Sequence, residues 1–320
     1  MSNLTTLLSL SEVASLTSND VLSDFLKLKI STNTRQTYSK ALDDFFIRTI
    51  GVAASPTMVG EFLSLSQTQA VSLVLQYQAK LMDSGLTPST INVRLSALKS
   101  LVNHARKVGR CEFTLVDVRS RQVEVYRDTS GLPPEGISQI LATCNQNTLK
   151  GVRDYAVLRL LWGNALRRGE VSSATVGDYS SGDATLMIMG KGKVQKSSID
   201  LPPKTILAID NWLEWRSREF SSPSKSEPLF VGLTHGGGKF GGEGIRSMLV
   251  ERTEKAGISK QMSPHRIRHS AITAALDASG GDVRSARALS RHANLNTLTR
   301  YDDNRHKLQG KASLALDDLV

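Results

Sequence analysis

Residues 263–271 read SPHRIRHSA and place His265, Arg266, Arg268 and His269, two imidazoles and two guanidinium groups, within five positions. Like charges so crowded repel one another, so the cluster points to a strongly anionic ligand. Ser263 is a good helix cap and Pro264 a good first helical residue, which predicts His265, Arg268 and His269 on one face at spacings of three and four. Ile267, Ala271, Ala274 and Ala278 are expected on the opposite, packing face. Histidines four apart also occur in zinc-binding helices. Here, however, Arg266 and Arg268 replace the intervening glutamate and would oppose a dication. A phosphate fits the cluster better, because the planar fork of an arginine can hold two oxygens together.

Three further groups could serve the same anion. Arg167 precedes Glu170 by three residues, a spacing that reads equally as a surface ion pair worth well under 1 kcal/mol. Lys191 stands between Gly190 and Gly192 in what reads as the tight turn of a β-hairpin, where an ordinary exposed turn lysine is the alternative. His292 precedes Tyr301 by nine residues, and Asn294 or Asn296 could start a short helix carrying the tyrosine, which could equally belong to a core.

These groups need a scaffold. With 320 residues, 40% of them hydrophobic, the chain is long enough for two domains, each with its own core. The first 130 residues read as four or five helices. Apolar residues recur at helical spacing in VLSDFLKLKI and TYSKALDDFFIRTIG, with Thr34 offering a starting cap; VSLVLQYQAKLMDSG ends in a glycine stop; Thr87 and Pro88 open a helix that closes at Gly109. That last helix and its exit carry Arg94, Lys99, Arg106, Lys107 and Arg110, either a solvated face or a contact for a polyanion. The period breaks between Arg119 and Pro134, which places a linker near residues 127–133 and divides the chain into domains at 1–128 and 129–320. The second domain reads as helices around the hairpin at residues 184–202, with THGGGKFGGEG as a loop that lacks the spacing of a phosphate-cradling P-loop. The fold class expected is therefore mainly α with a small β-sheet.

Lys and Arg outnumber Asp and Glu by 40 to 30, and the isoelectric point near 9.7 favours a polyanionic partner, nucleic acid first. From Lys260 to Lys307 there are nine Lys or Arg against four Asp and no Glu, so the excess gathers around the proposed centre. No apolar run approaches the roughly 20 residues needed to span a bilayer, and the first residues lack the features of a secretion signal. Cys111 and Cys144 fall in different predicted domains and read as buried structural thiols of a reducing compartment, excluding a disulfide framework or a cysteine zinc site.

Taken in order, Arg167 with Glu170, Lys191, His265 with Arg268, His292 and Tyr301 resemble the signature of the phage integrase family, the tyrosine recombinases, over about residues 15–310. The family pattern has Leu where this chain has Ile267 and commonly Gly where it has Arg291; the stretch before Arg167 reads GNAL, which leaves the turn geometry open. The resemblance implies a helical core-binding domain that clasps DNA opposite a C-terminal catalytic domain, the two forming a clamp. It implies strand cleavage by Tyr301 through a 3′-phosphotyrosine bond, with Arg167, Arg268 and His292 on the non-bridging oxygens, His265 accepting the tyrosine proton and Lys191 protonating the leaving 5′ oxygen. Glu170 would orient Lys191 or a histidine. His269 would either support the centre or bond the backbone or a carboxylate. Arg94, Lys99, Arg106, Lys107 and Arg291 are expected to touch DNA, Arg291 otherwise facing solvent. No metal or other cofactor is implied. The partners expected are double-stranded DNA and three further copies of the chain, a homotetramer on two sites, in a bacterial, phage or plasmid setting and with a cytoplasmic, nucleoid-associated location. The tail KASLALDDLV would dock on a neighbouring protomer or on its own domain. A type IB topoisomerase and a DNA-binding relative without catalysis are the competing readings.

Overall fold

A computed structural model describes residues 20–29, 31–122, 131–190, 192–220, 222–233, 237–291 and 317. The chain divides into two compact units, Met1–Arg127 and Asp128–Val320. The fold is mainly helical with one small antiparallel sheet. Among the described residues no helix is long and apolar enough to cross a membrane.

The first unit holds α1 (Val21–Lys27), α2 (Thr32–Ile50), α3 (Pro56–Leu63), α4 (Gln67–Asp83) and α5 (Pro88–Lys107). Side-chain caps start each of them, and Thr87 with Pro88 opens α5 as the sequence predicts. Helix α2 starts earlier than expected: Ser31, not Thr34, is its cap, and its hydroxyl accepts from the Thr34 N–H. Gly85 ends α4 with φ near +68, a left-handed backbone that only glycine adopts without steric cost. Phe25, Phe45, Phe46, Phe62, Tyr77, Leu95, Leu98 and Phe113 fill the core, several ring pairs meeting edge to face. At the rim of this apolar set the partly exposed Asp44 gathers three donors: the Tyr77 hydroxyl at 2.6 Å, Arg48 at 3.0 Å, and Arg94 from α5. Burial and this carboxylate push the Tyr77 hydroxyl above its ordinary pKa.

The second unit contains α6 (Pro134–Ala142), α7 (Leu149–Gly163), α8 (Arg168–Ser173), β1 (Tyr179–Ser180), β2 (Thr185–Met189), β3 (Lys196–Asp200), α9 (Pro203–Phe220), α10 (Gly242–Lys255), α11 (Pro264–Ala278) and α12 (Val283–Ser290). The strands lie in the order β1, β2, β3, with Met189 opposite Lys196 at the hairpin end. The sequence predicts the hairpin but not β1, whose two residues are too few to show a period. It also misses α10, because the glycines of GGEG that open this helix read as loop.

Helix α7 runs through the core, covered by α9, where Trp212 stacks on Phe230 and donates to the Leu229 carbonyl at 2.8 Å. Its Asp154 is fully buried and holds three cations. Oδ1 accepts from Arg153 Nε and Nη2 at 3.0 and 2.7 Å; Oδ2 accepts from Arg252 Nε and Nη2 at 3.0 and 2.6 Å and from Lys150 at 3.1 Å. This hub fixes α7 to α10. A smaller cluster of Ala165, Ala271, Ile272, Leu276 and Ala286 joins the end of α7 to α11 and α12. Both cysteines are buried free thiols, and burial pushes Cys144 up to about 11.

Candidate active site

The turn after α7 presents the first arginine. Asn164 anchors it by donating from its side chain to the Asp200 carbonyl at 2.7 Å, and Ala165, fully buried, takes a left-handed backbone with φ near +46. Such a conformation costs a non-glycine residue roughly 1–2 kcal/mol, so the surrounding packing must hold it. The chain then straightens, and Arg167 caps α8 with extended backbone. Glu170, buried at the third position of α8, accepts the Arg167 backbone N–H at 2.7 Å and the Arg167 guanidinium at 2.8 Å. A pairing that the sequence leaves as an ordinary surface contact is thus a buried carboxylate locking one arginine at a helix start. The Arg167 side chain remains 30% exposed, so its guanidinium is anchored at one edge and accessible to an anion.

Helix α11 presents the second set. Ser263 caps it, accepting from the Arg266 N–H at 3.2 Å, and Pro264 is its first residue, as expected. The faces divide differently from the expectation. Arg268 turns inward beside Ile267, Ala271, Ile272 and Leu276, while Ala278 is exposed. An α-helix advances about 100° per residue, so Arg268 falls between Ala271 and Ile272, within the apolar stripe itself, and its long stem carries the guanidinium to the neighbouring turn. There it donates to the carbonyls of Ala165 and Ser290, stitching the Arg167 turn to the end of α12.

His265 and His269 meet one turn apart on the outer face. Their Nε2 atoms are 2.7 Å apart and the rings cross at 86°. One imidazole donates and the other accepts, so at least one ring must be neutral. The outer edge of His265 is exposed, but the crowding beneath the ring, then the guanidiniums of Arg268 and Arg167, hold its pKa below the ordinary histidine value. His265 therefore stands neutral at neutral pH, competent to accept a proton. Because Arg268 bonds the Ala165 carbonyl two residues before Arg167, and His265 lies one turn before Arg268 on α11, the three share a neighbourhood although about 100 residues separate Arg167 from the other two.

Arg291 neither faces open solvent nor resembles the glycine expected there. It closes α12 with φ near +54, and its guanidinium donates to Glu170 at 3.1 Å and to the Leu289 and Asn164 carbonyls at 2.8 and 3.3 Å. Both Glu170 oxygens are thus engaged by arginines, not by a histidine among the described residues. The sequence signal for this contact was the missing glycine alone. Lys191 falls in the connection between β2 and β3 and lies outside the described residues, as do His292, Tyr301, Asn294, Asn296 and the tail at 311–320 apart from Asp317. Among the described residues, no group of three or more His, Cys, Asp or Glu is placed to hold a metal ion.

The basic residues of α5 separate. Arg94 turns to Asp44, whereas Arg106 and Lys107 are exposed and Lys99 is half-buried. On the helical wheel Lys99 and Arg106, seven residues apart, fall on the same side of α5, each one turn from a buried residue, Leu95 and Val102 respectively, so their stems border the packed face while the Arg106 side chain is exposed.

Comparison with known proteins places this geometry. The model of the phage integrase family matches residues 131–307. The chain is 48% identical over 303 residues to "Tyrosine recombinase slr0733" of Synechocystis sp., covering 94% of this chain and 96% of that protein. Its fold is similar to that of XerH recombinase, whose structure is a post-cleavage complex with a palindromic difH substrate (TM-score 0.67, 18% identity, covering 95% of this chain and 86% of the other). It is also similar to lambda integrase, solved as a tetramer on a Holliday junction (TM-score 0.62, 15% identity, covering 89% and 77%). The arginine turn, the capped helix with His265 and Arg268, and these matches together make the chain a member of the phage integrase family, a tyrosine recombinase.

Proposed function

We propose that the chain is a site-specific DNA recombinase that cleaves and rejoins duplex strands through a covalent bond between Tyr301 and a 3′ phosphate. The observation that carries this reading is the Arg268 guanidinium bonded to the Ala165 carbonyl, two residues before the anchored Arg167, with His265 three residues before Arg268 on the same helix. In the reaction the Tyr301 oxygen bonds to phosphorus and the bond from phosphorus to the 5′ oxygen breaks. The phenol proton passes to His265, and Lys191 supplies a proton to the leaving 5′ oxygen. A phenol with an ordinary pKa near 10 is a poor nucleophile, and two nearby guanidiniums favour its phenolate. Arg167, Arg268 and His292 carry the charge that builds on the non-bridging oxygens. Because the phosphotyrosine bond stores the energy of the broken linkage, religation by the 5′ hydroxyl needs neither ATP nor a metal.

The first unit acts as the core-binding domain and the second as the catalytic domain, together a clamp on DNA, with Lys99, Arg106 and Lys107 as phosphate contacts. Neutralised phosphates release counterions, so affinity falls steeply with salt. Four copies assemble on two sites, a reading supported by the lambda integrase tetramer on a Holliday junction.

Selection of bound duplexes from a randomised pool yields the site. A supercoiled plasmid carrying two copies of it is then expected to give recombinant circles. Relaxation of supercoils without exchange would make the chain a type IB topoisomerase instead, and tight binding with neither product would make it a non-catalytic relative.

A further inference from the structure

We propose that Arg291 is a positioning residue for the catalytic centre rather than a contact to DNA, an inference that rests on the recombinase reading above. Its backbone stands at φ near +54 and ψ near +36, a left-handed conformation that a Cβ disfavours and that glycine adopts freely. A chain that keeps arginine there sets the side chain's contacts against that backbone cost. Those contacts all point inward. One Nη donates to the Leu289 and Asn164 carbonyls at 2.8 and 3.3 Å, and the other reaches Glu170 Oε2 at 3.1 Å. Nε is buried, with no partner among the described residues, and the side chain as a whole is 21% exposed, so the guanidinium is held largely within the protein.

Arg291 and Arg268 span the same gap. Arg268 joins the Ala165 and Ser290 carbonyls; Arg291 joins the Asn164 and Leu289 carbonyls beside them. Arg291 also makes a charged bond, to the carboxylate that grips Arg167. Losing the Arg291 guanidinium loosens Glu170, and through it Arg167, at the same point where the chain leaves α12 for His292. The effect belongs to the rate of cleavage in the bound complex, not to the affinity for the duplex.

The test uses the full chain and a nicked duplex bearing the selected site, with wild type and Tyr301→Phe establishing whether an adduct forms. Arg291→Gly suits the backbone and so should fold, which thermal unfolding checks, and Arg291→Lys retains the charge. Expected for Arg291→Gly are a duplex Kd within about twofold of wild type and an unchanged salt dependence, the slope being set by phosphate contacts. The adduct-forming rate at saturating duplex should fall about 10- to 100-fold, the range for a lost supporting contact or a small misplacement. Arg291→Lys should recover part of it, and Glu170→Gln should cost much less in the Arg291→Gly background than alone. A wild-type rate in Arg291→Gly overturns the inference, as does weaker binding with a salt slope lowered by about one, the mark of a phosphate contact. An active wild type with an equally active Arg291→Gly variant sinks this inference alone; a wild type that forms no adduct sinks the recombinase reading and this inference with it.

Discussion

Replacing Asp154 by Asn removes one negative charge from between two guanidiniums that water barely reaches. Asp154 is fully buried, and the Arg153 and Arg252 side chains are 6% and 5% exposed. Each arginine presents two donors to one carboxylate oxygen, and Lys150 adds a fifth contact. An amide can offer an oxygen to only one of the two forks and turns its NH2 toward the donors of the other. Removing one partner of a buried ion pair costs about 3–5 kcal/mol, since the remaining charge stays buried without compensation. Two such cations lose their counter-charge here and one of them also loses its acceptor, so the upper part of that range applies. For a unit of this size each kcal/mol lowers Tm by roughly 2–4 °C, so calorimetry at neutral pH should show a fall of roughly 10–15 °C in the unfolding of the second unit. Combining Asp154→Asn with Arg252→Met should restore part of the loss, because one stranded cation is gone. A single variant that melts within about a degree of wild type would refute the reasoning, since that is far less than 3 kcal/mol would produce.

Glu170→Gln should lower stability by about 1–3 kcal/mol, less than the buried-pair figure because Arg167 and Arg291 are partly exposed, and should slow cleavage; thermal unfolding and adduct formation check the two effects. Cleavage should decline in acid with a midpoint below about pH 6.5, the ordinary histidine value, because the neutral His265 is the base and its pKa is held down. The same shift sets the sign for stability: the unfolded chain takes up the proton first, so the contribution of His265 is present above the ordinary value and is lost as pH falls toward the folded one. A rate profile still falling above pH 7 would contradict the assignment. Alanine at Lys99, Arg106 or Lys107 should weaken binding to all sequences and reduce the salt slope by about one each. Arg94→Ala should instead lower the melting temperature of the first unit, because it deprives Asp44 of a cation.

The parts of this molecule that the sequence made legible are those written locally. Ser263 with Pro264 and Thr87 with Pro88 fix two helix starts because a cap needs only residues a few positions away. The order of the reactive groups is also a property of the string. What stayed hidden depends on residues far apart in the chain. Arg268 looks like part of an exposed cationic face until the Ala165 and Ser290 carbonyls are beside it. Arg94 reads as one more basic residue of α5 until Asp44, fifty positions earlier, is seen against it. Glu170 offers no clue that its second partner lies at Arg291, or Asp154 that α10 supplies Arg252. The glycine expected before His292 could be read as a backbone requirement, and its replacement by Arg291 as a contact, but only coordinates show that the contact points inward.

The most direct test of the account is the chemistry of the nucleophile. On a nicked suicide duplex bearing the selected site, the wild-type chain should become covalently attached through Tyr301 to the 3′ phosphate, as mapped by mass spectrometry of the digested adduct. Tyr301→Phe should bind the same duplex with unchanged affinity and form none. An adduct that persists in Tyr301→Phe, or that maps to any other residue, would contradict it.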